Sequence, residues 1–405
     1  MKLPQIGPGI LVTAAFIGPG TVITASVAGA NFGYALIWAL LFSIFATIIL
    51  QEMAGRLGLI TGKGLGENIR ENIQQPIFRF LAGALVVSAI IIGNAAYQGG
   101  NISGATLGLT GLFDTSLELS DSITGWPIII GLLAFFILWQ GQYKVVEKLL
   151  LLLVLIMSIA FLITFFITQP DFSAFFSGLL IPRIPDGATL TVIALIGTTV
   201  VPYNLFLHSS SVSEKWQGHD ALNNVREDLY VSIPLGGIIS IAIVSTAAAA
   251  FFGKQIQLQS AADLAPALQP LFGEYAKVLM AVGLFAAGIS SAITAPLASA
   301  YALSGILNLP RKLDDKKFKS IWIAILTLGV ILASTGYKPV NIIWFAQVAN
   351  GLLLPITCAF LIWIMNSPAL GIYKNSSRQN VLGACVMLIT LILSAKSLSS
   401  AFGLS

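Results

Sequence analysis

Two stretches decide how this chain reads: Ile17-Gly18-Pro19-Gly20-Thr21 in its first apolar segment and Val201-Pro202-Tyr203-Asn204 in its sixth. Proline has no backbone N–H and glycine weakens a helix, so each stretch interrupts a helix inside an otherwise apolar run. At bilayer depth the freed backbone groups find no partner in hydrocarbon. Such a break persists only where it is packed in protein or lines a cavity. A pair of breaks in corresponding segments of two halves points to a solute site between them.

The surrounding composition agrees. Of 405 residues, 56% are hydrophobic and only 9% charged, with a mean hydropathy of +0.89, which excludes a soluble domain. The isoelectric point near 9.0 reflects an excess of only +4. Its Lys and Arg fall in short joints, so they read as topology signals and not as a nucleic-acid patch. A window of about 20 apolar residues predicts eleven spans: 7–30, 33–55, 80–108, 127–142, 148–168, 188–212, 229–252, 274–308, 320–335, 339–365 and 380–399. The joints between them, such as Thr61-Gly62-Lys63-Gly64 and residues 309–317, are too short for a further domain. The fold class is therefore an all-α polytopic membrane protein, one domain over 1–405.

Basic residues set the orientation. With the N-terminus in the cytoplasm, only Arg183, Lys254, Lys277, Lys338 and Lys396 of the 21 fall outside, as the positive-inside rule asks. The expected location is a cell's inner (plasma) membrane, with the C-terminus outside after an odd number of spans. No cleavable signal is expected, because Pro8, Gly9 and Gly18-Pro19-Gly20 interrupt the run after Lys2. Cys358 and Cys385 lie in apolar spans and read as small buried hydrophobes.

Ten of the spans divide into two five-helix repeats, about 7–168 and 188–365, with an added helix at 380–399. Five is odd, so the second repeat enters from the opposite face, the inverted arrangement of many secondary transporters. The interrupted segments are the first of each repeat. Each exposes carbonyls at one half-helix end, which suit cations, and N–H groups at the next start, which suit anions. Around them stand neutral ligands: Thr21, Thr198, Thr199, Tyr203, Asn204, and Gln347 and Asn350 on the tenth span. All 17 acids lie in joints or near span ends, Glu52 and Glu274 coming closest to the hydrocarbon.

These residues carry a family resemblance. Gly7-Pro8-Gly9, Gly18-Pro19-Gly20-Thr21, Ala28-Gly29-Ala30-x-x-Gly33-Tyr34, Leu50-Gln51-x-x-Ala54-x-Arg56-Leu57-Gly58 and Thr61-Gly62 resemble the opening of the NRAMP family of divalent metal transporters. Pro202-Tyr203-Asn204-Leu205-Phe206-Leu207-His208-Ser209 is similar to its sixth helix, and Gln347-x-x-Asn350-Gly351-x-x-x-Pro355 to its tenth. The resemblance implies the leucine-transporter fold, a LeuT-type 5+5 inverted repeat with helices 1 and 6 broken.

The departures are as informative. Family members carry Asp-Pro-Gly-Asn in the first break, where Asp and Asn bind metal; here those positions are Gly18 and Thr21. Their Met-Pro-His becomes Val201-Pro202-Tyr203, so the soft ligand that favours transition metals is gone. On the third span, Gln98 and Asn101 hold amides where the family places an acidic pair associated with proton movement. Amides do not titrate, so the family's proton coupling is not expected. The chain thus resembles the NRAMP-related magnesium transporters, a divergent branch without the usual metal-binding Asp, Asn and Met.

Charge arithmetic points the same way. Stripping even one charge of its water costs several kcal/mol, and a site of hydroxyls, amides and carbonyls is ill suited to a bare divalent ion. Mg²⁺, which keeps several waters, suits it best. The expected substrate site comprises Thr21, Asn204 and Gln347 as metal ligands, directly or through water. Ala15 and Thr198 add backbone carbonyls, and Gly18, Val201 and Tyr203 shape the cavity. Gln98, Asn101, His208 and Asn350 are accessory or gating positions.

Plainer roles compete with these. Thr21 and Asn204 also suit helix capping, Gln347 suits interhelical hydrogen bonding, and Tyr203 and Trp344 suit packing. For His208 a structural hydrogen bond competes with a proton relay, and Glu52 with Arg56 reads as an i,i+4 ion pair. A rival substrate is an amino acid or other small polar organic solute, whose carboxylate would sit on half-helix N–H groups. A membrane receptor or assembly subunit is a third reading. Enzyme chemistry has no candidate cluster of titrating groups, and no cofactor is expected. The expected partners are a small inorganic cation and membrane lipids.

Overall fold

The computed structural model describes residues 7–9, 17–115, 117–120, 123–141, 143–254, 257–310 and 312–401. Its long helices in chain order are α1 (Pro19–Phe32), α2 (Ile37–Thr61), α3 (Leu65–Asn72), α4 (Pro76–Phe113), α5 (Trp126–Gln140), α6 (Tyr143–Ile167) and α7 (Phe172–Leu180). There follow α8 (Thr189–Thr199), α9 (Pro202–Lys215), α10 (Leu222–Phe251), α11 (Ala276–Leu307), α12 (Lys316–Ala333), α13 (Pro339–Ile364) and α14 (Ser377–Ala401). The described β-structure is one small antiparallel pair, Glu118–Ser120 with Ile123–Thr124, before α5.

Helix starts follow local chemistry. Proline opens α1, α4, α9 and α13, where its missing N–H would be unpaired anyway and its fixed φ suits the first turn. Asp315 caps α12 by accepting from the N–H groups of Lys317 (2.8 Å) and Phe318 (3.2 Å). The helix therefore starts four residues before the span expected at 320–335. Its lysines join the first turn instead of ending the joint.

Among the described residues, eight helical spans are long and apolar enough to cross a membrane. The expected span at 127–142 matches α5, which has 15 residues between Gly125 and Gly141. The expected span at 7–30 runs through residues 10–16, outside the described set. Large side chains that face outward are predominantly apolar, among them Phe80, Phe166 and Ile392. This is the surface of a protein solvated by lipid.

Inside, packing relies on small residues and short interhelical bonds, because lipid supplies no hydrophobic drive for helices to associate. α4 runs through the middle against α11, α13 and α12. On α4, Asn94 Nδ2 donates to Ser299 Oγ of α11 at 2.6 Å. α1 packs on α10, α8 and α13, which brings the segment opened by Pro19 and the one that ends at Thr199 beside α13. Cys358 is buried as expected, but Cys385 is exposed on α14, a face turned away from the bundle.

Candidate functional site

The centre is built where α8 gives way to α9. α8 stops at Thr199, and Val200 and Val201 leave helical geometry before Pro202 restarts it. The residue that would close the helical bond to the Thr198 carbonyl is Pro202, which has no N–H to give. Ala15 stands in the same sequence relation to Pro19, but lies outside the described residues. Asn204 N–H bonds the Val201 carbonyl at 3.0 Å, turning the chain tightly into α9.

Opposite, Gly18 is extended (φ −109°, ψ −172°) and caps α1. Thr21 and Val22 donate their N–H groups to the Gly18 carbonyl at 3.1 and 3.2 Å. The Thr21 and Thr198 hydroxyls meet at 2.8 Å, both buried. Gln347 of α13 joins them: its amide lies against Gly20, and its backbone carbonyl lies against Gly197 of α8. A Cβ at Gly197 would come within 2.1 Å of that carbonyl, so only glycine admits α13 so close.

Several neutral groups here lack partners. Asn204 is fully buried, and neither its Oδ1 nor its Nδ2 is hydrogen-bonded among the described residues; Gln347 Oε1 is likewise unpaired. Each such group costs about 1–3 kcal/mol, so packing alone does not account for them. Thr199 differs: its hydroxyl turns back to the Leu195 carbonyl at 3.3 Å, out of the site. Among the described residues no group of three or more His, Cys, Asp or Glu is placed to hold a metal.

The remaining expected residues spread outward. Val201 is buried as the cap of α9. Tyr203 turns toward α4, its ring 5.3 Å from that of Tyr97. With Asn94, Asn350 and Thr357 it lines a mainly apolar cavity between α4, α9 and α13. There the buried Asn350 Nδ2 has no hydrogen-bond partner among the described residues. Gln98 and Asn101 face elsewhere: Gln98 Nε2 donates to the Ala292 carbonyl of α11 at 3.0 Å, and Asn101 Nδ2 to Gln98 Oε1 at 3.5 Å. His208 packs against Gly55 of α2. Neither ring nitrogen is hydrogen-bonded among the described residues.

The two ends of the bundle contrast. At the C-terminal end of α1 and the N-terminal ends of α8 and α13 lies an open vestibule of about 510 Å³, lined by Asn31, Thr191, Gln259, Asn341 and Trp344 among others. Its lining reaches Trp344, one turn from Gln347. At the other end, buried Glu52 accepts from Arg56 Nη2 at 3.0 Å and from Arg226 Nη2 of α10 at 2.8 Å. Arg56 also donates to Asn375 Oδ1 at 2.9 Å and to the Tyr373 carbonyl. Two residues along α10, Asp228 accepts the Gly7 N–H at 3.0 Å and the Gly9 N–H with its second oxygen.

Sequence reasoning found the Glu52–Arg56 pair but missed Arg226, Asn375 and Asp228. The available signal was an acid and a base two residues apart at the start of an apolar span. It also missed the contact of Gln347 with Gly20, for which nothing local in the sequence is a signal.

A multi-pass helical bundle with a helix interrupted beside buried polar groups that are unpaired among the described residues has the architecture of a membrane transport protein. The chain matches the family described as natural resistance-associated macrophage protein-like (Nramp) over residues 9–400. It belongs to that family. It is 29% identical to the divalent metal cation transporter MntH of Yersinia pestis (strain Pestoides F), over 99% of this chain and 96% of that one. Its fold is shared with the solved manganese transporter of Eremococcus coleocola, with a TM-score of 0.77 at 23% identity, covering 98% of this chain and 86% of that one. MhsT, solved in complex with L-phenylalanine, aligns with a TM-score of 0.64 at 15% identity, over 97% and 98% of the two chains. The fold is LeuT-type.

Proposed function

We propose that the chain carries a divalent metal cation across a cell's inner membrane by alternating access, and that its cargo is Mg²⁺ or a similar ion that keeps part of its water. Membership of the Nramp family supports the cation, as do relatives whose names specify divalent metal cation transport. The observation that carries the finer reading is the donor set. Thr21, Thr198, Asn204 and Gln347 offer oxygen and amide groups, two of them with unpaired buried atoms, and no carboxylate or thioether. Neutral oxygens of this kind suit the water shell of Mg²⁺, which dehydrates reluctantly, and not a bare transition metal. Gly18 and Val201 carry no long ligand side chain that would crowd that shell.

Transport is uncoupled from protons by the route that acids on the third span would provide. Gln98 and Asn101 cannot titrate, and their amides are engaged in hydrogen bonds. The architecture is eleven spans, two inverted five-helix repeats and an added helix, with the first and sixth spans broken. The end of α8 at Thr199 and the restart at Pro202 support the second break. The vestibule faces outward and admits the ion, while the Glu52–Arg56–Arg226 end faces the cytoplasm.

The test is uptake into liposomes, followed with separate dyes for Mg²⁺, Mn²⁺ and protons. Mg²⁺ influx without matching acidification is expected. Mg²⁺ influx with an equal proton signal overturns the uncoupled mechanism. No divalent influx, with uptake of an amino acid, overturns the cation itself.

A further inference from the structure

Gly20 occupies the first turn of α1, between Pro19 and Thr21, and is buried. Its backbone is not in the left-handed region that glycine alone tolerates. Alanine is the better helix former, so the backbone gives no reason for glycine at this position. The reason lies across the interface. A Cβ on Gly20 would stand 2.3 Å from Gln347 Nε2, 2.7 Å from its Cδ and 3.2 Å from its Oε1. The Gln347 amide therefore rests directly on the bare backbone of α1. Its main chain cannot retreat, because its carbonyl is seated against Gly197. Only the side-chain torsions of Gln347 are free to yield.

We infer that Gly20 is a positioning residue for ion selectivity: by lacking a side chain it fixes where the Gln347 carbonyl oxygen stands beside Thr21, and so sets the width of the site. This rests on the reading of Gln347 as a ligand for the cation or its water. With alanine at position 20, the amide must rotate off α1. That movement is cheap for the fold, since only the end of a flexible side chain shifts. It is costly for a hydrated ion, whose shell must match fixed oxygens. Mg²⁺ sheds water reluctantly, so it suffers more than Mn²⁺.

The experiment is calorimetric titration of Mg²⁺ and Mn²⁺ into the purified full-length protein and its variants, each with its melting temperature recorded. Gly20→Ala is expected to melt no lower than the wild type and to bind Mg²⁺ about tenfold more weakly, the scale of lost ligand positioning, with a smaller change for Mn²⁺. Gln347→Ala should weaken Mg²⁺ at least as much, and adding Gly20→Ala to it should cost nothing more, since the two act through one group. Gly20→Ala with Gln347→Asn, whose amide is one methylene shorter, should recover part of the binding. If Gln347→Ala weakens binding but Gly20→Ala does not, or if the two losses add, the role of Gly20 is overturned alone. If Gln347→Ala leaves Mg²⁺ binding unchanged, the ligand reading falls and this inference falls with it.

Discussion

Asn204 and Glu52 are both buried polar residues, and they are treated in opposite ways. Glu52 meets two guanidinium groups, and its partner Arg56 reaches a carbonyl and an amide besides. Asn204 has neither amide atom hydrogen-bonded among the described residues. A buried charge without a partner costs several kcal/mol, whereas a neutral amide costs about 1–3 kcal/mol. At these two positions the buried charge is closed off within the protein, and the neutral amide is the one left with open atoms among the described residues.

The largest expected effect comes from breaking the closed side. Glu52→Gln leaves Arg56 buried without its carboxylate, a loss on the order of 3 kcal/mol. The share belonging to Arg226 is smaller, because its side chain is 35% exposed and water screens it. Thermal unfolding in detergent should show a clear drop in midpoint. A midpoint equal to the wild type would mean that the closed side contributes nothing net, and the contrast fails.

Asn204→Leu probes the open side. It removes two unsatisfied groups, so stability should hold or rise by up to about 1 kcal/mol. The shift in midpoint produced by Mg²⁺ should shrink, with about tenfold weaker apparent binding. A destabilised protein with intact Mg²⁺ protection would make Asn204 a structural residue like Glu52.

The smallest effect belongs to an exposed pair, Lys63 with Glu71 at 2.7 Å. The hydrogen bond from Lys63 holds the Glu71 carboxyl below its ordinary value. A lowered folded-state value adds stability above the ordinary glutamate range of about 4.3 and loses it as pH falls through the folded value. Screening limits the gain to a few tenths of a kcal/mol. Glu71→Gln should flatten that small acid-side decline in the melting midpoint. A decline as steep in the variant as in the wild type would assign it to other groups.

Much of the fold was legible because apolar runs of about 20 residues have few alternatives to a membrane helix. Ends were less so. The charged run before α12 reads as a joint, yet Asp315 turns it into the first turn of a helix. At the site, Pro202 marks the interruption in the sequence itself, and the Thr21–Thr198 contact follows from laying the Pro19 segment beside the Pro202 segment. The Gln347 contact with Gly20 does not follow, because it depends on a tertiary distance that no local pattern encodes. His208 shows the converse: a residue type rich in roles, placed where it touches Gly55 and bonds with nothing described.

The start of α10 holds two anchors a short step apart. Arg226 pulls on α2 through Glu52, and Asp228 pulls on the chain at Gly7 and Gly9. Two residues along a helix point about 200° apart, so this turn is tied from nearly opposite sides like a mast between two stays. Tilting it toward either neighbour slackens one stay and tightens the other.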